Sequence, residues 1–153
     1  MAALLTPNLG MLEQAASLCE GLGTDRFQAA CRELGGSTVG QHVRHCLDHC
    51  VRFVVGIPDG RIDYDSRDRL IETERNPDAA AGTARRMMAR LEAVLEGLTP
   101  DQPVEVTQAC SVSGEVLPEA STCGRELQFL VSHTVHHFAM IAAICRLHAV
   151  EMP

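Results

Sequence analysis

Three histidines lie within five positions of a strongly apolar segment near the C-terminal end of the sequence. The segment reads "FLVSHTVHHFAMIAAICRLH" and contains His133, His136 and His137. A buried polar group without a partner costs about 1–3 kcal/mol, so several imidazoles in one core-facing patch need a common partner. A metal ion is the partner that the spacing favours, because His133 and His137 lie about 40° apart on a helix and can converge on one ion. His133 with His136, about 60° apart, is the weaker alternative pair.

A second group of histidines lies in the segment "HVRHCLDH", which contains His42, His45 and His49. On a helix these three residues occupy a sector about 60° wide beside an apolar face. His42 and His49 lie closer to that face than His45, so helix geometry alone would choose one of them to complete a metal site with the later pair. Three imidazoles leave open positions on the ion, which is typical of a catalytic site. Imidazole ligands favour the later transition metals, and we expect zinc, with nickel, iron and manganese as alternatives.

Catalytic and cofactor-binding residues are harder to derive from the sequence than metal ligands. Glu126, seven positions before His133, and Asp48, beside His49, are weak candidates for proton transfer or ligand orientation. The ordinary interpretation of Glu126 is an acid that stabilises the start of a helix. Cys46 and Cys50 are alternative zinc ligands, but they lack the CxxC spacing and share the apolar face of their helix, so we interpret them as small core residues. The spacing identifies no cofactor-binding residue.

Composition excludes several classes of function. The formal net charge of −7 would repel phosphate backbones, so a nucleic-acid partner is not expected. All thirteen basic residues are arginine, and without lysine the chain cannot perform Schiff-base or pyridoxal-phosphate chemistry. No apolar run suggests a membrane span or a secretion signal. The seven cysteines are an odd number, and we expect a reducing, cytoplasmic location.

Four long helices are predicted in one domain that comprises residues 1–153. Helix one follows Pro7 in "NLGMLEQAASLCEGLG", and helix two is "VGQHVRHCLDHCVRFVVG", ending at Gly56. Helix three begins at Asn76 and Pro77 and ends near Gly97. Helix four follows a cap at Ser121 or Thr122 and reaches about His148.

Two segments between these helices have other predicted structures. "RIDYDSRDRLIETERN" is strongly charged and is predicted to be a surface connection with at most one helical turn, in which the only tyrosine has no assigned role. "PVEVTQACSV" and "EVLP", separated by Gly114, predict a small β-hairpin between helices three and four. Cys110 and Cys123 flank this hairpin, and the sequence does not show whether they approach each other. The fold class is therefore all-α, an antiparallel four-helix bundle with a possible hairpin, which builds metal sites from inward-facing side chains.

Two segments resemble the DinB and YfiT superfamily of four-helix metalloproteins. "TVGQHVRHCLDH" is similar to the second helix of that family, in which a histidine is the first metal ligand, and "SHTVHHFAMI" is similar to its fourth helix with the HxxxH pair. The resemblance implies that His45, His133 and His137 are the ligands, and His49 and His42 remain as alternates. The chain departs from the common pattern at Phe138 and Ala139, where an Arg-Gly pair often follows the histidines.

The resemblance also implies an activity and a partner. Characterised relatives include thiol-dependent S-transferases and isomerases, which implies that a bound metal activates a low-molecular-weight thiol for S-transfer. A hydrolase that uses metal-bound water, or a non-catalytic stress-related metal-binding bundle, is the alternative. We expect a homodimer that buries a residual apolar face of helix one or helix four, as relatives commonly do.

Overall fold

The computed structural model describes residues 1–66, 71–109 and 116–150, and it consists of helices with one small sheet. The helices are α1 (Ala2–Gly21), α2 (Thr24–Gln28), α3 (Val39–Gly56), α4 (Ile71–Arg75), α5 (Pro77–Val94) and α6 (Cys123–Leu147). The strands are β1 (Arg61–Asp63), β2 (Pro103–Ala109) and β3 (Val116–Thr122). Helices one to four of the sequence prediction correspond to α1, α3, α5 and α6, and the four-helix bundle is confirmed.

The four long helices pack around one hydrophobic core. α1 contacts α5 and α6, and α3 contacts the same two helices from the other side of the bundle. Fully buried side chains from all four helices meet in the centre; among them are Ala16, Leu47, Leu91, Leu127 and Ile144. Because α3 and α6 are neighbours in this arrangement, the two histidine-rich segments face each other across one helix interface.

Threonine side chains cap the starts of α3 and α6. The Thr38 side chain accepts a hydrogen bond from the Gln41 backbone, and the Gln41 side chain accepts one from the Thr38 backbone, which forms a capping box. The Thr122 side chain caps α6 by accepting from the backbone N–H of Arg125. These caps fix the residue at which each histidine-bearing helix begins.

The predicted start of α1 was wrong. The helix begins at Ala2 and contains Pro7, which the sequence analysis placed before the helix. A proline in the second helical turn removes one backbone donor and usually weakens a helix there. The side-chain amide of Asn8 donates to the carbonyls of Leu4 and Leu127, so it supports this turn and ties it to α6.

The sheet has three strands in the order β1-β2-β3. β2 and β3 pair antiparallel, with Val104 opposite Ser121, and this confirms the predicted hairpin. β1 pairs parallel with β2, with Ile62 opposite Val106, and was not predicted. Cys110 and Gly114 of the predicted hairpin lie outside the described residues, whereas Cys123 is buried at the start of α6.

The prediction of a surface connection from Arg61 onward was wrong for β1 and for Tyr64, the residue that follows it. Ile62 and Tyr64 are each 1 % exposed, because alternate residues of a strand point to one face and this face packs on the bundle. Gly56 allows the close approach, since a Cβ at this position would overlap the carbonyl oxygen of Arg61. The Arg52 guanidinium also donates to the carbonyl of Asp63. β1 is therefore fixed against the C-terminal half of α3.

α6 is the one helix of the described residues that is long and apolar enough to span a membrane by length and composition. Its most apolar stretch has a mean hydropathy of 1.3, although the sequence analysis expected no such segment. α6 packs against α1 and α3 in the bundle, and 22 % of this apolar stretch is buried.

Candidate metal centre

Five histidine rings from two helices meet at the interface between α3 and α6. We call them the histidine cluster; its members are His42, His45 and His49 of α3 and His133 and His137 of α6. The ring centroids of neighbouring members lie between 4.2 and 5.1 Å apart. Helical spacing positions each set along one side of its helix, and the packing of α3 against α6 brings the two sets together.

His45 is the central ring of the cluster. Its centroid lies 4.5 Å from that of His49, 4.8 Å from that of His133 and 4.6 Å from that of His137. Ring nitrogens of His45, His49 and His133 lie within 4.8 Å of one another, which is compatible with binding a common ion. The resemblance proposed His45 and helix geometry proposed His49 or His42, and the structure brings all three into contact with the α6 pair.

His49 is held in one orientation. It is 3 % exposed, and its Nδ1 lies 2.9 Å from the backbone carbonyl oxygen of His45. A carbonyl only accepts hydrogen bonds, so Nδ1 carries the proton and Nε2 of the neutral ring carries the lone pair. The ring of Tyr64 stacks on His49 at 5.4 Å with an interplanar angle of 24°. This tautomer and orientation are those of a metal ligand that is supported by a backbone carbonyl.

His42 and His137 interact directly. Their Nδ1 atoms lie 2.9 Å apart, and the buried Nε2 of His42 has no hydrogen-bond partner among the described residues. Burial, followed by the neighbouring His42, His136 and His49, lowers the pKa of His137 to about 4. Burial and then His136 also lower the pKa of His42. Both imidazoles are therefore neutral at pH 7, which is the form that binds metal ions.

His136 lies at the outer edge of the cluster. Its side chain is exposed, and its ring centroid lies 5.2 Å from that of His137 at a near-perpendicular angle. The sequence offered His133 with His136 as the weaker pair. In the structure the ring in contact with both His45 and His133 is that of His137.

Glu126 lies in a hydrogen-bonded network beside the cluster. The carboxylate is 5 % exposed, accepts from the Ser121 hydroxyl at 2.6 Å on Oε1, and accepts from the Tyr64 hydroxyl at 3.0 Å on Oε2. Burial and then the carboxylate of Glu126 raise the pKa of Tyr64 well above its ordinary value, so this phenol remains a donor. The sequence analysis gave Tyr64 no role. The alternation of Ile62 and Tyr64 was the signal that could have indicated a strand with one buried face.

A cleft of about 380 Å³ lies next to the cluster, between β2, β3 and the first turns of α6. Glu126 and Phe129 both line this cleft. The ring of Phe129 lies 5.5 Å from that of His133 and 5.3 Å from that of Tyr64. Phe129 is therefore a wall shared by the cleft and the histidine cluster.

Asp48, the other candidate for proton transfer, is part of an ion pair. Its carboxylate lies 2.7 Å from the Arg44 guanidinium, which also lies 2.7 Å from the carboxylate of Glu74 on α4. Asp48 is 3 % exposed, so the ion pair neutralises a buried charge and fixes α4 to α3. This position gives Asp48 a structural role.

The cysteines beside the histidines behave as core residues. Cys46 and Cys50 are buried, and burial raises the pKa of each thiol to about 12. A thiol must lose its proton to bind zinc, and these surroundings oppose that loss. The interpretation of both residues as small core residues therefore agrees with the structure.

The donor set of the cluster fits a divalent transition metal. The group of ligand atoms that lie close enough together for one ion comprises imidazole nitrogens alone, from buried or half-buried side chains. Neutral imidazoles suit zinc, nickel, copper and iron more than magnesium or calcium, which prefer oxygen ligands. The fold and the cluster together define a four-helix bundle with a candidate histidine metal site.

Comparison with known proteins identifies the family. The model of the DinB superfamily matches residues 11–141, and the chain belongs to this superfamily. No curated protein sequence matches the chain significantly.

Two solved structures from Bacillus subtilis share the fold. The DinB-like protein YjoA has a TM-score of 0.68 and 19 % sequence identity, with 99 % of this chain and 96 % of YjoA covered. YfiT, described as a probable metal-dependent hydrolase with an unusual four-helix bundle topology, has a TM-score of 0.68 and 18 % identity, with 98 % of this chain and 88 % of YfiT covered.

Proposed function

We propose that this protein is a metal-dependent enzyme that activates a low-molecular-weight thiol for transfer to an electrophile. The observation that carries the proposal is the donor set, which is a group of imidazoles without carboxylate or thiolate at the point where α3 meets α6. Neutral ligands leave the full charge of a divalent ion uncompensated, and such an ion favours an anionic exogenous ligand. The DinB resemblance adds thiol chemistry as the activity of relatives.

His45, His133 and His137 are the proposed ligands. His49 and His42 are the alternates to His45 as the ligand from α3, and a ring nitrogen of His49 lies within 4.8 Å of those of His45 and His133. We propose zinc as the physiological ion, since imidazole donors favour the later transition metals. A divalent ion held by these residues would supply Lewis acidity, which would lower the pKa of a bound thiol below its free value of about 8.5.

The reaction class follows from the nucleophile. The thiolate sulfur supplies the electron pair of the new sulfur–carbon bond, the leaving group departs with the pair of the bond that breaks, and the thiol proton passes to solvent. The chain contributes orientation and the exclusion of water. The backbone carbonyl of His45 and the ring of Tyr64 fix His49, and the ring of Phe129 covers His133 on the side of the cleft.

Metal content is the first test. Protein purified without a chelator or a metal-affinity tag should contain about one divalent transition metal per chain. His137→Ala should abolish tight binding with the helical circular dichroism retained, whereas the matched change His136→Ala, at an exposed neighbour, should not. Undiminished metal in His137→Ala would remove His137 from the site.

Thiol binding is the second test. In the cobalt-substituted protein, a small thiol should produce an intense sulfur-to-metal charge-transfer band in the near ultraviolet that is lost in the His133→Ala and His137→Ala variants. An unchanged spectrum at saturating thiol, with glutathione, bacillithiol and mycothiol all tried, would reject the transferase.

A metal-dependent hydrolase is the second candidate, because YfiT, which shares the fold, is described as a probable metal-dependent hydrolase. Lowering of the pKa of bound water toward about 7 would serve this reaction. Turnover of ester and amide substrates without thiol, together with no turnover of thiol and electrophile pairs, would favour the hydrolase. Metal binding without turnover on either panel would favour a non-catalytic metal-binding bundle.

A homodimer in the cytoplasm is the proposed state of the chain. The outward face of α6 exposes Val135 at 51 %, with Val131 and Phe138 partly exposed beside it, so self-association would cover apolar surface. A monomer mass by light scattering at tens of micromolar would contradict the dimer. The six cysteines of the described residues are free thiols, in keeping with a reducing compartment, and cell fractionation would test the location.

A further inference from the structure

The cleft beside the histidine cluster contains one buried carboxylate that the metal chemistry does not use. Glu126 lines the cleft, is 5 % exposed, and lies in the first turn of α6. The hydroxyls of Tyr64 and Ser121 each donate a hydrogen bond to one of its oxygens, and the N-terminal end of the helix attracts negative charge. Glu126 is therefore an acidic side chain held in one position at the wall of the cleft.

The charge of Glu126 is only weakly compensated within the described residues. The Arg125 guanidinium lies 4.0 Å from Oε1, and its side chain is 61 % exposed, so water screens most of this attraction. Arg125 also lines the cleft and lies over the ring of Phe129, 5.8 Å from its centroid. A second carboxylate, Glu119, lines the same cleft from an exposed position and adds to the negative potential.

The carboxylate retains hydrogen-bonding capacity. A carboxylate has about four lone-pair positions, and the hydroxyls of Ser121 and Tyr64 occupy one on each oxygen. Because Ser121 lies in β3 and the backbone N–H of Tyr64 donates to the carbonyl of Thr107 in β2, the oxygens are held in place before a ligand arrives. A ligand N–H group that enters the cleft meets an acceptor that is already oriented.

We propose that this cleft binds the substrate of the metal centre through a protonated amine, which pairs with Glu126 while the adjoining carbon chain packs on Phe129. Phe129 places this subsite directly beside the cluster, because its ring also contacts His133. The substrate class is an amine-bearing thiol or electrophile with several bonds between the ammonium group and the reacting atom. This inference rests on the proposed function for the thiol and on Glu126 for the amine.

Matched thiols test the head group. Aminohexanethiol, mercaptohexanol and mercaptohexanoic acid share one chain length and differ in a positive, neutral or negative end. In titrations of the cobalt-substituted protein followed by the charge-transfer band, the amine should bind about tenfold more tightly than the alcohol, and the acid should bind most weakly. Shorter and longer aminoalkanethiols should show an optimum of length.

A thiol-free arm separates the two proposals. Hexylamine and hexanol are added separately to the zinc-loaded protein. The backbone amide chemical shifts of β3 and of the first turns of α6 are followed by NMR. The amine should shift these signals at lower concentration than the alcohol. If no thiol gives a charge-transfer band and hexylamine still binds at this place, the thiol function fails and the amine subsite stands.

Variants assign the effect to one carboxylate. Glu126→Gln should abolish the preference for the amine in both arms, whereas Glu119→Gln, at the exposed carboxylate of the same cleft, should retain most of it. Ser121→Ala removes one donor to Glu126 and keeps its carboxylate, so this variant should retain the preference for the amine with weaker binding. It replaces Glu126→Gln as the test if that variant does not fold. Equal binding of amine and alcohol by the wild-type protein, or an amine preference that persists in Glu126→Gln, would overturn the proposal.

Discussion

The Nδ1 atoms of His42 and His137 lie 2.9 Å apart, so a single proton occupies the contact between the two rings. In the neutral pair, the donating ring carries a lone pair on Nε2, and the accepting ring carries its own proton there. The pair therefore offers one metal-ligating nitrogen at a time. If His137 binds the ion through Nε2, its Nδ1 donates to His42, and His42 selects the tautomer of the ligand.

Replacement of His42 by phenylalanine should weaken metal binding. The change removes the acceptor for His137 and keeps a ring of similar shape, and loss of a partner that orients a ligand typically costs about 10–100-fold in metal affinity. Competition with a chromophoric chelator measures the dissociation constant. His136→Phe is the control, since His136 is an exposed neighbour of the same ring.

Either of two results would change this assignment. Wild-type affinity in His42→Phe would show that His42 does not orient His137. Complete loss of the ion, with the fold intact, would make His42 itself a ligand.

His45→Ala should reduce metal binding more than His49→Ala does. The ring of His45 contacts those of His49, His133 and His137, so its removal takes away the donor common to every close arrangement of the cluster. Metal stoichiometry by elemental analysis and metal affinity by chelator competition are compared between the two variants. A larger loss from His49 would instead favour the set formed by the nitrogens of His49 and His133 with a weaker contribution from His45.

The metal-free protein should lose stability as the pH falls from about 6.5 to 4. The pKa of His137 is lowered from 6.5 to about 4 by burial and by its histidine neighbours. Within this window the unfolded chain binds a proton that the folded chain does not, so the free energy of unfolding decreases with falling pH and is fully retained above the window.

Urea denaturation in the presence of a chelator, repeated across this pH range, measures the slope. His137→Gln should flatten it, and His136→Gln should leave it largely unchanged. A slope that is identical in wild type and His137→Gln would show that other groups cause the acid sensitivity.

Gly56→Ala should destabilise the protein by roughly 1–3 kcal/mol, because the added methyl group would meet the Arg61 carbonyl and push β1 away from α3. Since Tyr64 follows β1 directly and stacks on His49, the same change should weaken metal binding. Gly10→Ala is the matched control: its Cβ would meet open space within α1, and stability should rise by about 0.5–1 kcal/mol. Thermal unfolding of both variants measures the difference, and an unaffected Gly56→Ala protein would contradict the close packing of β1.

Local signals in the sequence predicted most of the architecture that carries the site. The end of α3 follows from Gly56, the start of α5 from Asn76 and Pro77, and the hairpin from two alternating segments. These features depend on interactions between residues a few positions apart. α1 was predicted to begin too late, because the side chain of Asn8 supports the turn around Pro7 through a contact with Leu127 on another helix.

The sequence by itself determined that two helices carry histidine stripes and that imidazole would be the donor of any metal site. Only the tertiary structure decided that His45 is the central ring, that His42 contacts His137, and that Tyr64 joins Glu126 to His49. The physical reason is that helical periodicity fixes the direction of a side chain on its own helix, whereas the distance between two rings depends on how α3 and α6 pack. The role of Tyr64 depends on the docking of β1 against Gly56: the alternation of Ile62 and Tyr64 indicates a buried face, but it does not indicate which side chains that face contacts.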